Sequence, residues 1–376
     1  MTSPKIAIIG GGIVGSTAAY YLSRAGFSVT LFDEGTGQAT KAAAGIICPW
    51  FTLRRNKPWY FLVSNGAEFY RKMMADLAED GFHTEAIFQE DGALIIRKNQ
   101  ESLDRDLVQG AIKRELSPSI GELHSVTSSD LPTYFPLLDT PHGATYVQGG
   151  GKLDGEALIE TLHQAVLKFG GTILHENAQL TLHERQLGIE SPNHPHQQYD
   201  RILLAVGAWL PHLLTPLGYH VDIRPQKGQL YSIFNPEWQD KHYPVVMPPG
   251  KVDIIPFNNG EIVIGASHED DKGYDLSIDD TQLDELATQA NQWISNVSHD
   301  VHHRTKVGIR AYTSDASVIV GPVPHLDHVW AVSGLGSSGL TSGPFLGYQW
   351  SQLIQTGRWD ISQEDFPIER YIKKDM

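Results

Sequence analysis

An apolar run at the amino end, leading directly into three spaced glycines, is the feature that most constrains this chain. Lys5–Ile9 is followed by Gly10, Gly12 and Gly15 in the pattern Gly-x-Gly-x-x-Gly, and then by helix-forming residues. Such a strand, turn and helix can bind the pyrophosphate of a dinucleotide: Gly10 permits the turn, Gly12 lets the phosphates approach the backbone, and Gly15 lets the helix pack on the strand. A second predicted strand ends at Asp33, where a carboxylate accepts hydrogen bonds from an adenosine ribose. A glycine-rich turn without a ligand is the alternative, but it does not explain the order of strand, helix and acid.

Composition and charge exclude several classes of partner. The chain has 376 residues, with 29 Lys+Arg against 44 Asp+Glu and a net charge of -15. That charge repels phosphate backbones and anionic membrane surfaces, so nucleic acid is not an expected partner. No apolar run reaches the ~18 residues of a transmembrane segment, and the amino end lacks a signal-like pattern. The single Cys48 excludes an intramolecular disulfide, which makes the cytoplasm the expected location.

The length of the chain predicts about two domains. Patterns typical of a dinucleotide-binding α/β domain occur in three separated pieces, residues 1–49, 142–218 and 305–376. The intervening pieces, residues 50–141 and 219–304, are predicted to form a second, sheet-based α+β domain inserted into the first.

Three stretches carry the clearest structural predictions. Residues 201–209 form a continuous apolar run, as expected of a central parallel strand that is buried on both faces. From Val221 to Ile264 the alternation has a period of two, which predicts short strands separated by turns such as 258–260. The glycine-rich turn 334–339 is followed by a helix that is predicted to open at residues 342–344.

Several short segments, each weak alone, follow one another in a specific order along nearly the whole chain. They are residues 10–15 with Asp33, 42–46, 150–154, 205–209, 228–229, 264–266, 308–310 with Asp315, and 334–339. In this order they resemble the FAD-dependent amino acid and amine oxidoreductases, the family that includes D-amino acid oxidase, glycine oxidase and sarcosine oxidase.

The resemblance implies that FAD binds noncovalently in the doubly wound domain and accepts a hydride from the substrate carbon next to nitrogen. A covalent link through a cysteine near residue 308 is not expected, because Cys48 is distant in sequence. The substrate would be an amino acid or amine and the electron acceptor oxygen or a quinone, and a homo-oligomer stays an open alternative to a monomer. The implied cofactor-binding residues are Gly10, Gly12, Ile13, Val14, Gly15, Asp33, Glu34, Ala43, Ala44, Gly45, Ile46, Ala205, Gly207, Trp209, Gly334, Gly336, Ser337, Ser338, Gly339 and Leu340.

The turn 334–339 has a specific expected role in this interpretation. A reduced flavin becomes anionic around N1 and C2=O, and backbone N–H groups at the start of a helix stabilise such a charge. The alternative is that these glycines only make a tight strand-to-helix turn.

Two residues are candidates for binding the substrate. Arg310 matches the carboxylate-binding arginine of the family, and its planar fork suits a carboxylate; the alternative is an ordinary ion pair. Asp253 stands where glycine oxidase-like members often carry an aromatic residue. Either its side chain faces the pocket and favours a cationic group, or it is solvated. No catalytic histidine is nominated.

Other residues suggest further hypotheses. His299, His302 and His303 lack accompanying carboxylate or cysteine ligands, so no metal is expected. Arg54 and Arg55 are interpreted as a solvated loop rather than a substrate lid. Two other functions remain open for the chain: an FAD-dependent 2-hydroxy acid dehydrogenase, and a flavin-binding electron-transfer module without its own small substrate.

Overall fold

The computed structural model describes residues 4–52, 56–295 and 302–375. The strands are β1 (Lys5–Ile9), β2 (Ser28–Phe32), β3 (Ile46–Ile47), β4 (Phe88–Gln89), β5 (Ala93–Arg97), β6 (Leu123–Val126), β7 (Gly143–Val147), β8 (Gly151–Leu153), β9 (Thr172–Leu174), β10 (Gln179–His183), β11 (Gln186–Ser191), β12 (His194–Gln197), β13 (Arg201–Leu204), β14 (Tyr219–Val221), β15 (Arg224–Gln239), β16 (Val245–Met247), β17 (Asp253–Pro256), β18 (Asn259–Gly265), β19 (Arg304–Tyr312), β20 (Ile319–Pro322), β21 (Val329–Ser333) and β22 (Ile372–Lys374). The helices are α1 (Ile13–Arg24), α2 (Lys57–Glu79), α3 (Gln100–Arg114), α4 (Leu131–Tyr134), α5 (Gly155–Lys168), α6 (Leu210–Leu214), α7 (Asp280–Ala290) and α8 (Gly339–Thr356).

A six-stranded sheet in the order β20-β21-β13-β1-β2-β9 contains the amino-terminal strand. Its pairs are parallel except for β20, which runs antiparallel to β21 at the edge. Both faces of β1 are covered, since Ile6 and Ile8 pack into one hydrophobic core and Ala7 and Ile9 into another. The two covered faces explain why the central strands of this sheet are apolar over residues 6–9 and 202–204.

Strand β13 is central and fully buried at Ile202, Leu203 and Leu204, as its apolar run predicts. The prediction that the strand continues to Trp209 is wrong, because β13 ends at Leu204 and a 3-10 helix occupies Gly207–Trp209. Gly207 has φ of +52°, a conformation that no strand residue adopts. The end of the strand therefore becomes a turn that faces the cavity described below.

Helix α8 lies against α1 through two glycines. A Cβ on Gly343 would lie 2.5 Å from Ile13 Cγ2, and one on Gly347 would lie 2.3 Å from the Val14 carbonyl oxygen. Only glycine permits this approach of the two backbones.

The predicted start of α8 at Ser342 is wrong, since the helix begins at Gly339 and contains Pro344. Pro344 has no N–H to donate to the carbonyl of Leu340, four residues earlier. The hydroxyl of Tyr70 donates to that carbonyl instead, at 2.5 Å. A side chain from α2 thus replaces the missing backbone hydrogen bond and lets the helix extend in front of its proline.

An eight-stranded sheet in the order β19-β15-β18-β17-β16-β5-β7-β6 forms the second unit. The predicted turn near residues 258–260 is present, joining the antiparallel strands β17 and β18, with φ of +92° at Gly260. Leu283 and Leu286 of α7 pack with Ile262 and Ile264 in a separate core. The predicted α/β architecture, a doubly wound sheet with a second sheet inserted into its chain, is confirmed.

Two strands of the eight-stranded sheet fall outside the pieces predicted to form it. β7 lies within residues 142–218, and β19 lies within residues 305–376 except for its first residue, Arg304. Both pieces are predicted to belong to the dinucleotide-binding domain, yet both strands pair in the eight-stranded sheet. The division of the chain at those positions stays a prediction. Across the described parts of the chain, no helix combines the length and hydropathy of a membrane span.

Candidate active site

A cavity of about 800 Å³ opens where the turns of the six-stranded sheet meet strands of the eight-stranded sheet. It brings together residues from distant parts of the chain. All the predicted cofactor- and substrate-binding residues line it except Gly15: Gly10, Gly12, Ile13, Val14, Asp33, Glu34, Ala43, Ala44, Gly45, Ile46, Ala205, Gly207, Trp209, Asp253, Arg310, Gly334, Gly336, Ser337, Ser338, Gly339 and Leu340.

The three motif glycines have different surroundings. A Cβ on Gly10, whose φ is +102°, would lie 2.4 Å from the carbonyl oxygen of Ala205. One on Gly15 would lie 1.9 Å from the carbonyl oxygen of Gly10. A Cβ on Gly12 would meet no atom closer than Thr40 Oγ1, at 3.5 Å. Gly10 and Gly15 are thus required by the fold, whereas the space beside Gly12 belongs to the cavity.

The start of α1 fits a pyrophosphate. No side chain caps the helix from the N-cap residue Gly12, and its first-turn N–H groups begin at the cavity wall. Thr40 Oγ1 accepts a hydrogen bond from the Ile13 N–H at 3.1 Å. Apart from this contact to Thr40, no side-chain acceptor is found for the first-turn N–H groups among the described residues, and such a helix N-terminus beside a glycine is the arrangement in which phosphate oxygens bind.

Asp33 lies at the end of β2 with 8% of its surface exposed. Its Oδ2 accepts a hydrogen bond from Gln38 Nε2 at 2.6 Å. A Cβ on Gly11 would lie 2.7 Å from this carboxyl group, so the glycine between the motif positions makes room for it. Sequence patterns do not reveal Gln38 and Thr40, because they lie in a loop without a periodic signal.

The turn 334–339 forms a second helix N-terminus on the same cavity. Gly334 and Gly336 have φ of +72° and +54°, and a 3-10 helix over Gly336–Ser338 leads into α8. Tyr312 Oη accepts a hydrogen bond from the Ser337 N–H at 3.0 Å, which fixes the turn. No side chain caps α8 from Ser338. The residues therefore fit an anionic part of a cofactor such as the flavin pyrimidine.

Arg310 points from β19 along the neighbouring strand β15. Its Nη1 donates to Gln226 Oε1 at 3.1 Å and to the Ser267 carbonyl oxygen at 2.8 Å. A Cβ on Gly228 would lie 2.8 Å from Cζ, Nη1 and Nη2, so the guanidinium lies flat over this glycine. Burial lowers the pKa of Arg310, and no ion pair with it is found among the described residues. The remaining N–H groups of a charged fork are available to a carboxylate.

Asp253 lies half-buried at the start of β17 and lines the same cavity. It has neither a hydrogen-bond donor nor an ion-pair partner among the described residues, and burial raises the pKa of its carboxyl group to about 7. Cys48 also lines the cavity and is buried, and burial raises the pKa of its thiol to about 12. The thiol is therefore protonated at neutral pH, whereas Asp253 titrates there.

Other residues singled out in the sequence lie elsewhere. His302 and His303 are exposed, and Arg54, Arg55 and His299 fall outside the described residues. One group with possible metal ligands, His183, Glu190 and His196, lies on the β10-β11-β12 sheet. The two imidazole rings are stacked, with centroids 4.3 Å apart and planes 15° apart. One ion cannot lie in both ring planes, so this arrangement does not form a metal site.

The chain matches the family model described as FAD dependent oxidoreductase, DAO, over residues 5–353. One relative, the uncharacterized oxidoreductase YurR of Bacillus subtilis (strain 168), is 34% identical over 349 residues, which cover 92% of this chain and 94% of the relative. Glycine oxidase of Pseudomonas aeruginosa is 26% identical over 359 residues, or 91% of this chain and 92% of the relative.

A solved structure is similar over nearly the whole chain. Iminodiacetate oxidase from Chelativorans sp. BNC1 superposes with a TM-score of 0.88 at 28% identity, covering 96% of this chain and 98% of that one. The match of the family model, the relatives and the two open helix N-termini on one cavity agree with one another. The chain therefore belongs to the DAO family of FAD-dependent oxidoreductases.

Proposed function

We propose that this enzyme oxidises the C–N bond of an amino acid to an imine. The observation that carries the proposal is the presence of Arg310 and Asp253, both without an ion-pair partner among the described residues, in the cavity that fits FAD. A guanidinium fork and a carboxylate complement the carboxylate and the ammonium of an amino acid. The relatives named above include a glycine oxidase and an iminodiacetate oxidase, both named for amino acids.

Arg310 is proposed to orient the substrate. Two hydrogen bonds, to Gln226 and Ser267, and the flat contact with Gly228 hold the guanidinium before the substrate arrives. A fork that is held in this way fixes both the position and the rotation of a carboxylate. The carbon next to nitrogen is then presented in one orientation.

Asp253 is proposed to bind the ammonium and to take up its proton. A carboxyl group with a pKa of about 7 is deprotonated above that pH, where it attracts the substrate cation. Removal of one proton from nitrogen leaves a neutral amine with a free electron pair. Asp253 can hold that proton on a carboxylate oxygen, because burial already favours the neutral form.

FAD bound in this cavity would supply the acceptor for the hydride that leaves the substrate carbon. As the C–H bond breaks, the nitrogen electron pair forms the C=N bond, and the substrate loses two electrons. Water then adds to the imine carbon, which releases the amine and leaves a carbonyl compound.

Anaerobic reduction of the purified holoenzyme tests the proposal. We expect absorbance near 450 nm to bleach with members of a panel of glycine, D-amino acids and N-methyl amino acids, and not with 2-hydroxyglutarate. Bleaching by the hydroxy acid alone would identify a hydroxy acid dehydrogenase. No bleaching by any amine would favour an electron-transfer module. Turnover measured with oxygen and with a soluble quinone identifies the acceptor.

A further inference from the structure

A second cation without an ion-pair partner lies in the cavity that contains Arg310. Lys251 precedes β17, two residues before Asp253, and its exposed side chain lines the cavity. Among the described residues no carboxylate pairs with it. Arg97, another lining cation, differs because it forms an ion pair with Asp106 at 2.5 Å. In a protein with a net charge of -15, two unpaired cations in one cavity need a physical explanation.

Strand pairing places the two cations in the same part of the cavity. Asp253 pairs with Gly265, so Lys251 and Ser267 each lie two residues beyond that pair. The carbonyl oxygen of Ser267 accepts a hydrogen bond from Arg310 Nη1 at 2.8 Å, and the next residue, His268, lines the cavity. Burial, then the positive charges of Arg310 and Lys251, lower the pKa of His268 to about 4. The direction of this shift agrees with that placement. His268 is neutral near pH 7, so it adds no third charge.

The acids along the cavity do not balance this pair. Asp33, Glu34 and Glu176 lie just after β2 and β9, at the end of the cavity beside the motif glycines. Glu269 and Asp270 act on Arg310 electrostatically, but each has another cation: Glu269 lies 3.9 Å from Lys227 Nζ, and Asp270 pairs with Arg224 at 2.5 Å. Asp253, two residues after Lys251, is the lining acid of this part of the cavity among the described residues, and one carboxylate cannot neutralise two cations. An amino acid with one carboxylate would occupy Arg310 and Asp253 and leave Lys251 without a counter-charge.

We propose that the substrate is an amino acid with a second carboxylate, and that Lys251 binds this second group. The proposal rests on the proposed oxidation of an amino acid. Two carboxylates and one ammonium complement the guanidinium, the lysine ammonium and Asp253. A substrate with a basic side chain would instead be repelled by Lys251.

Matched substrate pairs test this assignment. Iminodiacetate carries a second carboxylate on its nitrogen substituent, and N-methylglycine lacks it. D-aspartate carries a second carboxylate on its side chain, where D-asparagine has a neutral amide. We expect the wild-type holoenzyme to favour the dicarboxylate in at least one pair. Lys251→Gln should lower kcat/KM for that dicarboxylate by about 10- to 100-fold. It should change kcat/KM for the monocarboxylate of the same pair by less than about 3-fold.

Two further variants serve as controls. Lys251→Arg keeps the charge and should retain most of the preference. Lys241→Gln removes an exposed charge outside the cavity and should leave kcat/KM unchanged for both substrates of a pair. Equal losses on both members of a pair in Lys251→Gln, or a wild-type preference for the neutral member, would overturn the proposal.

Equilibrium binding separates this proposal from the proposed function. Malonate and acetate do not react, and each perturbs a flavin spectrum when it binds beside the cofactor. We expect malonate to bind more tightly than acetate. Lys251→Gln should reduce the ratio of the acetate and malonate dissociation constants by about 10-fold. If no amine reduces the flavin, the proposed function fails. If amines reduce it but malonate shows no advantage that depends on Lys251, only the second-carboxylate site fails.

Discussion

The guanidinium of Arg310 lies flat over the backbone of Gly228, with Cζ, Nη1 and Nη2 each 2.8 Å from the place of a Cβ. The glycine belongs to β15 and the arginine to the neighbouring strand β19. Because a methyl group there would occupy the place of the fork, Gly228→Ala should displace it and lower kcat/KM for amino acids by about 10- to 100-fold.

A double-mutant cycle checks that Gly228 acts through Arg310. Gly228→Ala in an Arg310→Ala background should cost little more than Arg310→Ala alone, because the displaced group is already absent. FAD content should stay at the wild-type level in each variant. Additive losses would mean that Gly228 acts independently of the arginine.

Arg310→Ala should itself lower kcat/KM by an amount equivalent to about 2–4 kcal/mol, the scale of a lost charge-assisted hydrogen-bonding partner. Arg310→Lys should restore only part of the loss, since an ammonium cannot form the two parallel hydrogen bonds of a fork. Steady-state kinetics on a neutral amino acid measure both variants. Wild-type kinetics in Arg310→Ala would place the residue outside the substrate site.

The carboxyl group of Asp253 predicts a pH dependence. Burial raises its pKa to about 7, so the carboxylate that binds the ammonium forms as the pH rises through that value. We expect kcat/KM to increase with pH between about 6 and 8, and Asp253→Asn to lack this increase. A pH profile of both enzymes on one amino acid makes the comparison. The same rise in Asp253→Asn would assign the ionisation to another group.

Substitutions of Gly12 and Gly15 separate an effect on cofactor binding from an effect on folding. A Cβ on Gly12 meets only Thr40 Oγ1, at 3.5 Å, so Gly12→Ala should fold but bind FAD weakly, and Gly12→Val should be colourless. Gly15→Ala places its Cβ 1.9 Å from the Gly10 carbonyl oxygen and should destabilise the fold. Flavin absorbance and thermal melting separate the two effects. Wild-type protein should release FAD on acid precipitation; retention in the pellet would indicate a covalent link.

The hydrogen bond from Tyr70 to the Leu340 carbonyl predicts a rescue. Tyr70→Phe leaves that buried carbonyl without a donor and should lower the free energy of unfolding by about 1–3 kcal/mol. Adding Pro344→Ala supplies a backbone N–H four residues along the helix and should recover much of the loss. Urea denaturation of the single and double variants measures this. If the proline substitution gives no recovery, the hydroxyl does not replace the helical hydrogen bond.

Local signals explain what the sequence alone could predict. Gly10, Gly12, Gly15 and Asp33 are separated by short distances along the chain, so one strand, one turn and one helix fix their relationship. The contact of Arg310 with Gly228 depends on strand register over more than eighty residues, which no pattern within either segment contains.

The errors have the same origin. Helix α8 starts before its proline, and the hydroxyl that donates to the Leu340 carbonyl there belongs to Tyr70, 270 residues earlier in the chain. Lys251 stands in a segment without periodicity, and the role proposed for it depends on the cavity that it shares with Arg310 in the folded protein. Contacts distant in sequence decide these features, whereas propensity describes only the neighbouring residues.

The eight-stranded sheet also limits the length of molecule that the site can hold. Gly228, under the guanidinium, is on β15, and Asp253 is on β17, with β18 between them. Two strand spacings of about 4.8 Å separate the two positions by roughly 10 Å across the sheet. Backbone hydrogen bonds rather than a loop set this distance. Strand pairing therefore sets the length of substrate that can contact both residues. A change in that length requires a longer or shorter side chain at one of them, such as Asp253→Glu.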